Sequence, residues 1–385
     1  MISKVVFWIS TGLISYPFAG YPLLLCFLQF VFPRKVRKKD IEPLVSILVA
    51  AYNEASVIAA KIQNSLTLDY PPDRLEIVVA SDGSTDETVE IMRTLVQKEG
   101  LNRVRLLNYP ENRGKLAVLN ESVPQLHGDI VVFSDASSIL TKNALRHLTA
   151  NFADEEVGAA SGIYHVVRKD EAQLGPQEDL YWKFETFLKV QEANIGALTG
   201  AHGSLYAIRK SLYPFPRVGT INDDFIIPTS VLHLGYRIAY EPQAIAYEQA
   251  SEMEGFQRRI RITAGNVEQL FHINRLLWPS HPLVLFCFLS HKAARLLVPF
   301  AMIALLVTNI LLWRFPLYRL ILWGQVVFYG LALAGALGRL RPRVLRLPYY
   351  FTMINSSLFM WLYYRISKRN GLSSSDGKGR RVLWT

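Results

Sequence analysis

Three apolar, largely β-branched runs punctuate the first 140 residues, each ending in polar residues and followed by helical spacing. They are Val45-Ser46-Ile47-Leu48-Val49-Ala50-Ala51, Val78-Val79-Ala80 and Ile130-Val131-Val132-Phe133. Such side chains suit a sheet covered on both faces, so each run reads as a buried strand. Helical stretches are expected at 55–66 and from about residue 87. Strands alternating with helices predict an α/β domain with a mainly parallel sheet and crossover helices. The carboxyl ends of such strands share one edge, where open α/β sheets bind their ligands. Glu54, Asp82 and Asp135 close the three runs and are expected to converge there.

Outside this domain the pattern changes. Residues 5–32 are apolar and uncharged, long enough to span a bilayer with tilt or kinks around Pro17 and Pro22. Arg34-Lys35-Val36-Arg37-Lys38-Lys39 follows at once. A cleaved signal carries its charge ahead of a shorter apolar core, so this segment reads as a retained anchor with a cytoplasmic basic flank. The expected organisation is an anchor at 1–33, a cytosolic domain at 40–250 and an interfacial amphipathic segment at 251–295. Transmembrane helices at 296–367 and a basic tail at 368–385 complete it. Spans are read at 296–313, 317–337 and, less apolar, 347–364, with Arg339, Arg341, Arg343 and Arg346 marking a cytoplasmic turn. Four crossings would put the tail outside, whereas Lys368, Arg369, Lys378, Arg380 and Arg381 favour the inside. Either the last segment does not cross or one boundary is misplaced.

Composition fits this division. Half of the 385 residues are hydrophobic, and the mean hydropathy of +0.17 is high for a wholly soluble enzyme. The formal charge of +10 is accounted for by juxtamembrane clusters facing anionic lipid. No nucleic-acid motif accompanies it, so no nucleic-acid partner is expected. Cys26 and Cys287 lie in apolar segments without disulfide or zinc spacing and read as buried thiols.

Asp82-Gly83-Ser84-Thr85-Asp86 is by itself ordinary turn chemistry, with Gly83 freeing the backbone and a residue of 84–86 capping the next helix. Three acidic strand ends together make a site, and the charge of Lys115 suits a diphosphate. Six motifs appear in order: Ala50-Ala51-Tyr52-Asn53-Glu54, Ser81-Asp82-Gly83-Ser84-Thr85-Asp86, Arg113-Gly114-Lys115-Leu116-Ala117-Val118-Leu119-Asn120, Ser134-Asp135-Ala136-Ser137, Thr199-Gly200-Ala201-His202-Gly203-Ser204-Leu205-Tyr206 and Asn222-Asp223-Asp224-Phe225. From residue 43 to 270 the chain resembles the inverting family-2 glycosyltransferases, in particular the membrane-integrated branch with cellulose, hyaluronan and poly-N-acetylglucosamine synthases.

The resemblance implies a GT-A-like nucleotide-sugar-binding domain. It implies that Ala50, Tyr52, Glu54 and Asp82 contact the base and ribose of the donor, and that Lys115 lies beside the diphosphate. Asp135 stands where the family places the first acid of Asp-x-Asp, serving ribose and a divalent metal, Mg²⁺ or Mn²⁺. Asp224, with Asp223 beside it, stands where the family places the base that deprotonates the acceptor hydroxyl. Two motifs depart from the pattern. Ser137 replaces the second acid, a hard anionic ligand. In Gln257-Arg258-Arg259-Ile260-Arg261-Ile262-Thr263-Ala264-Gly265, aligned on Arg261 and Gly265, Arg258 replaces Gln and Ile262 replaces the Trp that floors the acceptor site. Arg258 and Arg261, three apart, share a helix face toward the leaving diphosphate or belong to a basic membrane-surface helix. His202 reads as an acceptor or metal contact, or as a loop histidine satisfied by backbone. Glu248 reads as a surface carboxylate, with a place in the cleft as the alternative.

The expected activity is transfer of a sugar from a UDP-sugar to a β-linked exopolysaccharide by an integral membrane protein, with export subunits as partners. A single addition to a lipid or polyprenyl acceptor is the alternative. A catalytically inactive nucleotide-binding scaffold is the third reading, supported by Ser137 and Ile262 alone.

Overall fold

The structure is a computed structural model that describes residues 1–99, 103–167, 175–220, 222–249, 255–277, 281–338 and 344–369. The basic tail beyond residue 369, with Arg339, Arg341 and Arg343, lies outside the described residues.

The chain begins with α1 (Ile2–Ser15) and α2 (Tyr21–Val31), joined by a π turn, Tyr16–Gly20, into one 30-residue helix. Pro17 lies in that turn, where its missing N–H and its ring disfavour a regular α ladder. The α/β domain then runs β1 (Val45–Ala51), α3 (Ile58–Leu66), β2 (Leu75–Asp82), α4 (Thr88–Glu99), β3 (Val104–Tyr109), α5 (Lys115–Ser122), β4 (Ile130–Phe133), β5 (Ser138–Leu140), α6 (Ala144–Ala150), β6 (Val157–Val167), α7 (Gly175–Asn194), β7 (Tyr206–Arg209), α8 (Asp223–His233) and β8 (Arg237–Gln249). Among the described residues these strands form one sheet in the order β3-β2-β1-β4-β7-β6-β8-β5. β3, β2, β1 and β4 are parallel, as the alternating pattern predicts. β7 enters antiparallel to both β4 and β6.

Each face of the sheet carries a core. Ile58, Ile62, Met92, Leu145 and Leu148 cover one face. On the other, Leu116, Leu188, Ile227 and Val231 pack with Tyr21, Leu25, Val284 and Phe288 from the apolar helices. The membrane helices and the α/β domain therefore share one hydrophobic core. The basic cluster after α2 takes part in this docking: Lys38 pairs with Glu241 at 2.5 Å, and the Arg37 backbone N–H donates to Asp154 at 2.9 Å.

After α9 (Gly255–Leu277) come α10 (Pro282–Phe288), a second π turn (Leu289–Ala293) and α11 (Ala294–Leu311), continuous as Pro282–Leu311. The boundary expected at 295 thus falls inside one helix. The polar residues that suggested a break, His291, Lys292 and Arg295, turn inward to Glu185 and Glu192 of α7 and Gln269 of α9. α12 (Pro316–Ala336) and α13 (Leu347–Arg369) follow. Three helices among the described residues are long and apolar enough to cross a bilayer: Ile2–Val31, Pro282–Leu311 and Pro316–Ala336. α13, read from sequence as a further span, is not among them. Its polar side chains are used laterally: Tyr350 accepts from Arg259, and the Ser357 and Thr263 hydroxyls are 2.7 Å apart, both partners lying on α9.

Candidate active site

Parallel pairing of β1 with β2 and β4 brings Ala50, Tyr52, Glu54, Asp82 and Asp135 to one edge, as expected, where they line a cavity of about 1380 Å³. The loop after β1 is tied to the loop after β2. Asn53 adopts φ +56°, tolerable for asparagine, and its side-chain oxygen accepts from the Thr85 N–H at 2.8 Å. Asp86 caps α4 by accepting from the Thr88 N–H at 3.0 Å. Gly83 has φ +66°, and a Cβ there would lie 2.5 Å from the Asn112 backbone nitrogen, so only glycine fits. The Asp82 carboxylate accepts the N–H groups of Arg113 and Gly114, each at 2.8 Å. It clamps the loop that delivers Lys115. Glu54 is held above the usual carboxylate range by burial and by the charges of Asp135, Asp86 and Glu248.

Lys115 bridges two acids from distant elements, 3.0 Å from Asp135 and 3.1 Å from Asp223. Burial opposes its charge, but Asp135 and Asp223 outweigh this and raise its pKa, so it remains a cation. Asp223 also accepts from the buried Tyr206 hydroxyl at 2.9 Å, which makes it the anchor of Lys115. Asp224 differs. Burial and the neighbouring Asp223 charge push its pKa up, against Lys189, Lys292 and Lys115. At Gly203 a Cβ would stand 3.6 Å from an Asp224 oxygen and 3.7 Å from an Asp135 oxygen, so the two carboxylates flank one point. Lys61 lies fully buried behind β4, donating to Ser134 Oγ and the Ser138 carbonyl at 2.7 Å each. Burial, opposed by Asp135, lowers its pKa to about 7.

Toward the membrane helices the cavity is lined by Trp182, Lys189, His202, Arg259 and Arg261 and ends at Phe18, Pro299 and Leu358. His202 is buried and kept neutral by desolvation first and the Lys189 charge second; its Nε2 is 2.9 Å from the Tyr240 hydroxyl. Arg261 is exposed on the cavity wall, while the Arg258 side chain lies outside the described residues. Arg259, which the sequence reading passed over, is a buried arginine of this helix, 4.7 Å from the Tyr181 ring centroid. Ile262 lines the cavity without an aromatic floor, but Trp182 of α7, packed edge-on against Tyr164 at 5.2 Å, supplies an aromatic wall. Glu185, Lys189 and Glu192 were also missed. Their spacing on α7 places them along one face, a signal that was in the sequence. Burial alone would raise the Glu185 pKa, but Arg295 and His291 hold it well below the usual range.

Among the described residues no three His, Cys, Asp or Glu side chains form a complete metal cage. The donors beside Asp135 are nevertheless hard oxygens: the Ser137 hydroxyl bonds Glu248 at 2.9 Å. One or two carboxylates plus diphosphate oxygens are what Mg²⁺ requires, so the residues fit a divalent cation shared with a nucleotide diphosphate.

A model of the family described as Glycosyltransferase like family 2 matches residues 43–264. Probable glycosyltransferase YdaM of Bacillus subtilis (strain 168) is 29% identical over 238 residues, 58% of this chain and 55% of that protein. Poly-beta-1,6-N-acetyl-D-glucosamine synthase of Staphylococcus aureus (strain COL) is 28% identical over 258 residues, 63% of this chain and 61% of that protein. The matched region thus spans less than two thirds of these relatives. Mannosyltransferase PcManGT from Pyrobaculum calidifontis, solved with GDP-Man and Mn²⁺, superposes with a TM-score of 0.73 at 23% identity. The superposition covers 94% of this chain and 99% of that one, which establishes a common fold.

Proposed function

The chain belongs to glycosyltransferase family 2 and has the GT-A fold, and from that premise we propose that it is a membrane-bound inverting transferase that moves a sugar from a UDP-sugar onto a growing β-linked polysaccharide at the cytoplasmic face. The observation that carries this reading is Asp224, a carboxylate with raised pKa facing Asp135 across Gly203. The acceptor hydroxyl oxygen forms a bond to the anomeric carbon while its proton passes to Asp224. The bond from that carbon to the diphosphate breaks, and the electron pair leaves with the nucleoside diphosphate. Lys115, kept cationic, offsets the charge on the leaving diphosphate. A bound Mg²⁺ or Mn²⁺ would add charge stabilisation there, held by Asp135.

With three crossings, the α/β domain, α13 and the tail share one side of the membrane. Donor supply and the basic flanks support the cytoplasm as that side. Export subunits are proposed as partners, because three spans enclose little channel.

One observation favours a second acceptor class. The cavity runs on to Phe18, Leu296, Pro299 and Leu358 at the level of the apolar helices, a fitting place for the tail of a lipid-linked acceptor. The deciding assay is nucleotide release by purified protein with UDP-N-acetylglucosamine, UDP-glucose and GDP-mannose, with and without Mn²⁺, followed by product sizing. Metal-dependent release with long products is expected. Single-sugar lipid products would establish the second reading, and no release with any donor would refute transferase activity.

A further inference from the structure

Resting on the nucleotide-sugar reading above, we propose that Glu248 is the second protein carboxylate of the divalent-metal site, taking the place that Ser137 leaves vacant.

The sequence separates these residues by 111 positions, and the sheet removes that separation. β5 pairs antiparallel with β8 in a register that sets Ser138 opposite Glu248. Glu248 also lies in the parallel pairing of β8 with β6, opposite Val166. Its backbone is thus fixed on both sides. The Ser137 hydroxyl, 2.9 Å from a Glu248 carboxylate oxygen, orients the side chain from the loop that carries Asp135. A carboxylate has about four acceptor positions, so one hydroxyl bond aims it without exhausting it. Both acids line the donor cavity, together with Lys115 on the Asp135 side.

The chemistry is complementary. An aspartate at 137 would set two anions against each other across this pair of strands, whereas serine donates to Glu248 and adds no further anion beside Glu54, Asp135 and Glu248. Glutamate is longer than aspartate by one methylene, which suits approach from the neighbouring strand. Two carboxylates with diphosphate oxygens and water complete a hard-oxygen set.

The test is Mn²⁺ binding to the full-length chain in lipid nanodiscs, read by electron paramagnetic resonance of free Mn²⁺ with saturating UDP or GDP. Glu248→Gln is expected to weaken Mn²⁺ binding roughly ten-fold or more, the lower bound typical even of groups that support a metal indirectly. Nucleotide binding in EDTA and the metal-free melting midpoint are expected to be unchanged. Ser137→Asp in the Glu248→Gln background is expected to regain most of the Mn²⁺ affinity. Glu248→Asp, which keeps the charge but shortens the reach, is expected to fall between the two. Native-like Mn²⁺ affinity in Glu248→Gln would overturn the assignment, as would absence of Mn²⁺ binding to a native chain that still binds nucleotide. Failure of the native chain to bind either nucleotide would instead overturn the donor reading on which this assignment rests.

Discussion

At the residue scale, two adjacent aspartates at the start of α8 stand in different surroundings, which suits them to the different tasks proposed above. Asp223 meets a tyrosine hydroxyl and an ammonium, whereas Asp224 lies where burial and its neighbour's charge disfavour ionisation. Asp224→Asn is expected to lower kcat by about 10²-fold or more while nucleotide affinity stays within a few-fold, read by steady-state kinetics and calorimetry. A base acts only when deprotonated, so turnover should rise with pH along an acid limb displaced above the ordinary carboxylate range. Asp223→Asn removes one cause of that displacement, and the limb should move to lower pH. The acids at 54, 82 and 135 were legible in the sequence because each ends a local β-branched run, and parallel pairing makes local ends neighbours. Glu248, read first as a surface carboxylate with the cleft as the alternative, lines the cavity, and only the β5–β8 register brings it to Ser137. The resemblance singled out Asp224, but the anchoring of Asp223 was not legible, since it depends on Tyr206 and Lys115 from other elements.

At the scale of elements, α9 approaches the residue before α8 closely through an absent side chain. A Cβ at Gly265 would come within 2.3 Å of Asn222, the residue before Asp223. Gly265→Ala is expected to displace the Asn222 side chain and lower kcat by up to about 10²-fold, the effect of misplacing a reacting group by about 1 Å, with unchanged circular dichroism. Sequence resemblance marked this glycine, but its physical reason emerges from the crossing of the two helices. The junction of α7 with Pro282–Leu311 is ionic: Glu185 pairs with Arg295 and with His291, which also bonds Glu192 at 2.7 Å. Glu185→Ala leaves buried cations without their partner and is expected to cost about 3–5 kcal/mol at neutral pH, measured by denaturant unfolding in detergent. The folded-state pKa of Glu185 is depressed, so its contribution is present above the ordinary carboxylate range and lost as pH falls through the depressed value. The native and variant proteins should therefore converge in acid.

At the scale of the molecule, the crossing count that the hydropathy pattern left in conflict turns on how α13 is used. Its Tyr350 and Ser357 bind Arg259 and Thr263 of α9 laterally, and hydropathy alone cannot separate such a helix from a weak span. A membrane-impermeant maleimide is expected to label Arg314→Cys, between α11 and α12, in intact cells. Ser375→Cys in the tail should be labelled only after permeabilisation, and labelling of both in intact cells would require a fourth crossing. The shared core has another consequence. Tyr21, Leu25, Val284 and Phe288 are packed in one cluster with Leu188, Phe225 and Ile227, so tilt imposed on the spans is expected to reach the helix that begins with Asp223 and Asp224. Hydrophobic mismatch, which tilts helices at a cost of fractions of a kcal/mol per Å, then becomes an input to catalysis: in nanodiscs of graded acyl length, turnover should peak at one thickness while donor affinity stays level, making the enzyme a gauge of the membrane that holds it.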